Sequence, residues 1–113
     1  FGLDCVRELS GLPLEILLVP LPGHTRGHCG VAVETGGGWL LHCGDAFYVQ
    51  EELRAGRPPA GVWGFRFAAH HRHARAVRQL QRLKGLMRDH GEAVSLLASH
   101  DQFSYRHIFG RPL

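Results

Sequence analysis

The chain has 113 residues, enough for one domain with a small core, and its 44% hydrophobic and 20% charged content is ordinary for a soluble globular protein. No apolar run approaches the ~20 residues of a membrane span, and Asp4, Arg7 and Glu8 interrupt the opening ten residues where a signal peptide needs an apolar core. The net charge is a modest +3, and Cys5, Cys29 and Cys43 are an odd number at no framework spacing, which argues against a disulfide scaffold and for a reduced, cytoplasmic setting with the thiols buried as small apolar residues.

Glu15 to Leu21 is an apolar run rich in branched residues and closed by Pro22-Gly23, which predicts a buried strand with His24 at its end. Cys29 to Thr35 alternates, with Val31 and Val33 on one face. Gly36-Gly37-Gly38 then makes a turn and Trp39 to His42 returns, so a hairpin is expected. Gly44 allows a sharp bend that puts Asp45 at the end of the returning strand. Ala46 to Arg54 predicts a short helix, and Ala55 to Gly64, with Gly56, Pro58, Pro59, Gly61 and Gly64, a loop forming part of a pocket wall. Val77, Leu80, Leu83 and Met87 fall at helical spacing within a helix expected over Phe67 to His90, with Gly91 as its stop. Ala93 to Ala98 is a last buried strand, ending at Ser99-His100-Asp101.

Three turns at strand ends thus carry His24, Asp45 and His100, two imidazoles and a carboxylate placed to converge on one rim. Zinc takes imidazole nitrogen and carboxylate oxygen at ~2.0–2.2 Å, and the short acceptor-only side chain of Asp45 suits a bridge between two such ions. A structural zinc knuckle built from His24, His28, Cys29 and Cys43 is the competing metal reading, weakened because the cysteines are isolated rather than paired.

The string Pro22-Gly23-His24-Thr25-Arg26-Gly27-His28, followed by Cys43-Gly44-Asp45 and Ser99-His100, resembles the second half of a metallo-β-lactamase-fold hydrolase over roughly residues 14 to 103. The resemblance implies an α/β fold, the C-terminal half of an αββα sandwich, with residues 1–113 forming one partial domain. It implies a dinuclear site of two Zn2+, with iron or manganese as alternatives, held by His24, by Asp45 as the bridging carboxylate and by His100. It assigns His28 to holding the loop by hydrogen bonding rather than to the metal. The family's other signature, His-x-His-x-Asp-His, belongs upstream of Pro22 and occurs nowhere in the sequence. The nearest string, His70-His71-Arg72-His73, lies beyond Asp45 in a helical pattern, with His71 expected at the surface and His73 at a seam. A missing N-terminal half is therefore the expected partner, and a start at Phe1 agrees with a fragment.

Tyr48 stands at an offset from Asp45 where some lactone-hydrolysing members of that family carry a tyrosine able to donate to an oxyanion; packing of the ring on the sheet is the alternative. The resemblance implies hydrolysis of a small-molecule ester, lactone or thioester, with Asp45 and Tyr48 as catalytic residues. A second reading starts from Arg66, Arg72, Arg75, Arg78, Arg82, Lys84 and Arg88, a block without an acidic residue that invites a nucleic-acid-processing role. A solvated outer helix face explains the block more simply, and no stacking platform interleaves it. A third reading is a non-catalytic subunit or remnant.

Overall fold

The computed structural model describes residues 1–4, 6–13, 15–54, 60–69 and 73–110. Cys5, the loop segment with Gly56, Pro58 and Pro59, and His70, His71 and Arg72 lie outside the described residues. Among the described residues five strands, β1 (Arg7–Glu8), β2 (Ile16–Pro20), β3 (Cys29–Glu34), β4 (Trp39–His42) and β5 (Val94–Leu97), join in that spatial order. The first four pair antiparallel in sequence, and β5 joins β4 in parallel. A parallel pair needs a crossover. Helices α1 (Ala60–Ala69) and α2 (His73–His90) lie within it, and α3 (Gln102–Phe109) follows β5.

Strand alternation sorts the sheet's two faces. One register row runs Leu17, Ala32, Leu41, Leu96, and with Val19 and Val94 it packs under Leu80, Leu83 and Leu86 of α2 to form the core. The other face carries the rows Leu18, Val31, His42, Leu97 and Ile16, Val33, Leu40, Ser95. Val31 and Val33 share a face as expected, but the buried positions of β3 are Gly30 and Ala32, and Val31 is 37% exposed.

Two elements depart from the sequence expectation. Between Ala46 and Arg54 there is only a 3-10 turn, Gln50–Glu52, because Val49 is extended and the Glu52 carboxylate takes the Tyr48 and Val49 amides. The expected loop through Gly64 becomes helix from Ala60, and the helix expected over Phe67 to His90 is present as the end of α1 to Ala69 and as α2 from His73, the three positions between them lying outside the described residues. Tertiary contact overrides the glycine content of α1, whose Arg66 is drawn wholly into the interior. Arg66 is thereby removed from the solvated basic face, on which Arg75, Arg78 and Arg88 remain exposed. Val77 and Met87 are half-buried, and Ala76, Gln79, Leu80, Leu83 and Leu86 form the buried stripe of α2. His73 does sit at a seam, edge-on to Trp63 and Phe67 with ring centroids 5.4 and 5.1 Å away. No described helix is long and apolar enough to cross a membrane.

Candidate functional site

The ends of β2, β4 and β5 open onto one rim. After β2, the Leu21 amide bonds to the His28 carbonyl at 2.9 Å, closing the loop that carries His24. Gly23 has φ +154°, and a Cβ there would lie 2.6 Å from the Ala76 Cα. Only glycine lets α2 press this closely on the loop. After β4, the Cys43 amide donates to Leu97 at 2.7 Å and the Ser99 amide donates to the Gly44 carbonyl at 3.0 Å. These bonds extend the parallel pairing past the strand ends and carry Asp45 alongside His100.

The three side chains meet on Asp45. His24 Nε2 is 3.3 Å from Asp45 Oδ2, and His100 Nε2 is 3.3 Å from Asp45 Oδ1. The Oδ1 atom is buried and makes no hydrogen bond, although a buried carboxylate oxygen ordinarily has a donor. Asp45 thus presents an acceptor that the polypeptide does not satisfy, which fits a cation. Among the described residues, however, no group of three His, Cys, Asp or Glu side chains is arranged to hold a metal ion by itself.

His28 is fully engaged elsewhere. Its Nδ1 lies 2.9 Å from the Leu21 carbonyl, and its Nε2 accepts the Asp45 amide at 3.0 Å. The pair fixes the tautomer, with the proton on Nδ1 donated to Leu21 and the lone pair on Nε2. His28 therefore tethers the backbone of Asp45 to the His24 loop. Gly44, at φ +55°, makes room for it, since a Cβ there would sit 2.6 Å from His28 Nε2. The knuckle grouping does not form: His28 has both nitrogens occupied, Cys43 is buried with its thiol on the Leu41 carbonyl, and the Cys29 thiol bonds to the Gly27 carbonyl. Burial pushes the Cys43 thiol up, keeping it neutral. Cys29 and Cys43 are both free of disulfide.

Tyr48 is buried beside this group. Its hydroxyl is 3.5 Å from His24 Nδ1, and its ring lies 6.0 Å from that of His100 and 5.2 Å, edge-on, from that of Phe65. Burial first, then the Asp45 carboxylate, raises the phenol above its ordinary range; Arg66 opposes this and Glu52 adds to it. At neutral pH the hydroxyl is a proton donor. Tyr48, Val49, Val62, Phe65 and His100 line a cavity of about 320 Å³ with Gly61. Asp101, beside His100, does not face the rim: its carboxylate caps α3, accepting from the Phe103 and Ser104 amides and the Ser104 hydroxyl.

The sequence profile described as the metallo-beta-lactamase superfamily matches residues 6–88. The chain belongs to that superfamily. A protein of Mycobacterium tuberculosis named a probable metallo-hydrolase is 53% identical over 47 residues, a span that is 42% of this chain and 15% of the relative. A Mycobacterium bovis protein of the same name matches equally. Among solved structures, an N-acyl homoserine lactone hydrolase with N-hexanoyl-L-homoserine bound at its catalytic metal centre superposes with a TM-score of 0.64 at 23% identity. This chain covers 37% of that structure, and 96% of this chain is matched. A probable metal-dependent hydrolase of Staphylococcus aureus follows with a TM-score of 0.60 at 19% identity, over 83% of this chain and 30% of its own. These likenesses establish the metallo-beta-lactamase fold for the mixed α/β chain, as its motifs imply. They also show that it spans well under half the length of the proteins it matches.

The residues sequence reasoning missed are Glu52 and Arg66, a buried ion pair directly beneath Tyr48. Their separation in the chain left no local signal. The third helix was also unassigned, although Asp101 and Ser104 at its start and Gly110 at φ +62° at its end are ordinary helix boundaries.

Proposed function

We propose that this chain is the C-terminal half of a metal-dependent hydrolase acting on an ester, lactone or thioester. The observation that carries the proposal is the Asp45 carboxylate, faced on both oxygens by imidazole nitrogens from two other strand ends, with one oxygen buried and without a hydrogen bond. In this reading His24, Asp45 and His100 would hold divalent metal, zinc by donor chemistry with iron or manganese as alternatives, with Asp45 the carboxylate placed to bridge two ions. Zinc, when bound, supplies Lewis acidity to the substrate carbonyl and to the attacking water. The remaining work falls to the chain. His28 holds the Asp45 backbone so that the carboxylate stays aimed at the rim. Tyr48 would donate a hydrogen bond from its hydroxyl to the carbonyl oxygen as negative charge develops there. Val62 and Phe65 offer an apolar wall for the substrate's hydrocarbon part. Fold neighbours that hydrolyse acylated lactones support an ester-type substrate.

The other half of the site is assigned to an N-terminal segment carrying His-x-His-x-Asp-His. Two considerations support this. His24, Asp45 and His100 supply two protein ligands per metal at most, where catalytic zinc ordinarily has three. The sheet face bearing Ile16, Leu18, Val31, Val33 and Leu40 is partly exposed apolar surface of the kind a second sheet covers.

The test mixes the purified chain with an N-terminal half carrying that motif, titrates zinc calorimetrically and follows lactone and ester hydrolysis. Hydrolysis is expected only from the zinc-loaded mixture, with weak metal binding by the chain alone. Stoichiometric binding of two zincs with full turnover by the chain alone would overturn the division into halves. A zinc-loaded mixture inactive on esters, lactones and thioesters would overturn the substrate assignment.

A further inference from the structure

Beneath the rim lies a charge pair that metal chemistry does not use. Glu52 and Arg66 are both 0% exposed, with Arg66 Nη1 donating to Glu52 Oε2 at 2.8 Å. Taking two charges out of water is costly, and apolar residues of similar volume often serve a core equally well. The pair's other hydrogen bonds show what it holds. Glu52 Oε1 accepts the Tyr48 amide at 2.6 Å and the Val49 amide at 3.3 Å. Arg66 Nη1 also donates to the Ala46 carbonyl at 3.2 Å, and Nη2 donates to the Ala76 carbonyl of α2 at 3.3 Å. The guanidinium carbon stands 5.9 Å from the centre of the Tyr48 ring, within cation–π range.

The backbone between Asp45 and the 3-10 turn has no ladder or helix of its own to fix it. It is gripped on both sides of Phe47 by this pair instead. Arg66 in turn belongs to α1, whose Phe65 meets the edge of Tyr48. We infer that Glu52 and Arg66 are positioning residues, a buried bracket that aims the Tyr48 hydroxyl at the His24 and His100 side of the rim and seats α1 against it. The catalytic consequence rests on the role proposed above for Tyr48; the positioning itself is independent of it.

The chemistry of the bracket chooses the variants. Glu52→Gln keeps a carbonyl oxygen for the two amides and loses the charge. Arg66→Lys keeps the charge and loses the planar fork that reaches Ala46, Glu52 and Ala76 together. The experiment uses the complete zinc-loaded hydrolase labelled with 3-fluorotyrosine. This chain contributes two tyrosines, Tyr48 and Tyr105, and Tyr48→Phe identifies the first. Both variants are expected to shift or broaden the Tyr48 fluorine signal, leaving that of Tyr105 and the metal content unchanged. They should lower kcat up to about 100-fold, the scale of an ångström's misplacement, with KM nearly constant. In a Tyr48→Phe background the same substitutions should cost little more, since residues acting through one group are not additive. Glu52→Gln combined with Arg66→Met leaves no unpaired buried charge, so it keeps the fold while still displacing the Tyr48 signal. An unmoved Tyr48 signal in all three variants would overturn the bracket, as would kcat losses fully additive with Tyr48→Phe. Should Tyr48→Phe leave kcat unchanged, the catalytic role of Tyr48 falls, and a displaced signal still upholds the positioning.

Discussion

Asp45 and Glu52 are two carboxylates on one short stretch of chain, and their surroundings could hardly differ more. Glu52 is enclosed, and both its oxygens have donors within the polypeptide: a guanidinium on one, two backbone amides on the other. Asp45 lies at the rim, faced by imidazoles that are themselves proton acceptors on one nitrogen when neutral, and its Oδ1 has no donor. A carboxylate whose partners are all supplied by the fold is part of the frame. One left incomplete by the fold is, on the function proposed above, where a metal would bind. The contrast separates a carboxylate that holds the rim together from one the rim leaves open, although in the sequence both are simply acids in a loop.

That contrast can be broken most directly at Asp45. On the proposed function, Asp45→Asn in the chain joined to its N-terminal half is expected to lower kcat/KM for ester or lactone hydrolysis by about 10³-fold, the scale of several kcal/mol of lost transition-state stabilisation, and to weaken zinc binding. The metal-free stability should change by no more than about 0.5 kcal/mol, as for a site without a structural role. Chemical denaturation of the metal-free protein beside zinc titration and kinetics reads both halves of the statement; a large loss of metal-free stability would place Asp45 in the frame with Glu52. The converse substitution, Glu52→Ala, leaves Arg66 buried with no counter-charge and is expected to cost about 3–5 kcal/mol in denaturant unfolding. A cost below 1 kcal/mol would mean that the pair is not sealed from water. A third carboxylate calibrates the scale. Asp4 pairs with Arg82 at 2.9 Å but is 83% exposed, so Asp4→Asn should change stability by at most about 1 kcal/mol, and by less as salt is added. An effect as large as that of Glu52→Ala would show that exposure does not govern these pairs.

Much of the rim was legible in advance because each part is local. An apolar run closed by a turn residue marks a strand end, and His24 and Asp45 each follow a glycine at such an end while His100 follows Ser99. Their adjacency needed the register of the sheet, above all the parallel pairing that runs on from β5 to bond Ser99 to Gly44. The role of His28 as a tether was likewise implied by the motif, and the geometry supplies its two partners. The solvated face expected of the basic block is found at Arg75, Arg78 and Arg88 of α2 and is contradicted at Arg66. Helix α1 inverts the usual pattern, burying Arg66 while Phe65 and Phe67 are 59% and 71% exposed. Periodicity weighs each side chain by its cost of leaving water, and it cannot see a distant glutamate that offsets that cost.

What the sequence determined by itself is therefore the set of short-range facts: strand ends, the glycines that turn the chain at Gly23 and Gly44, the amphipathic stripe of α2, and the motif that marks the superfamily. These depend on backbone sterics and on hydrophobic spacing, which neighbouring residues fix among themselves. The tertiary structure decided which charges are buried together, which amides Glu52 would take, and that one oxygen of Asp45 would be left without a donor. Those outcomes depend on groups far apart in the chain sharing a desolvated space, where the stability of each charge is set by partners that only the folded chain brings within reach.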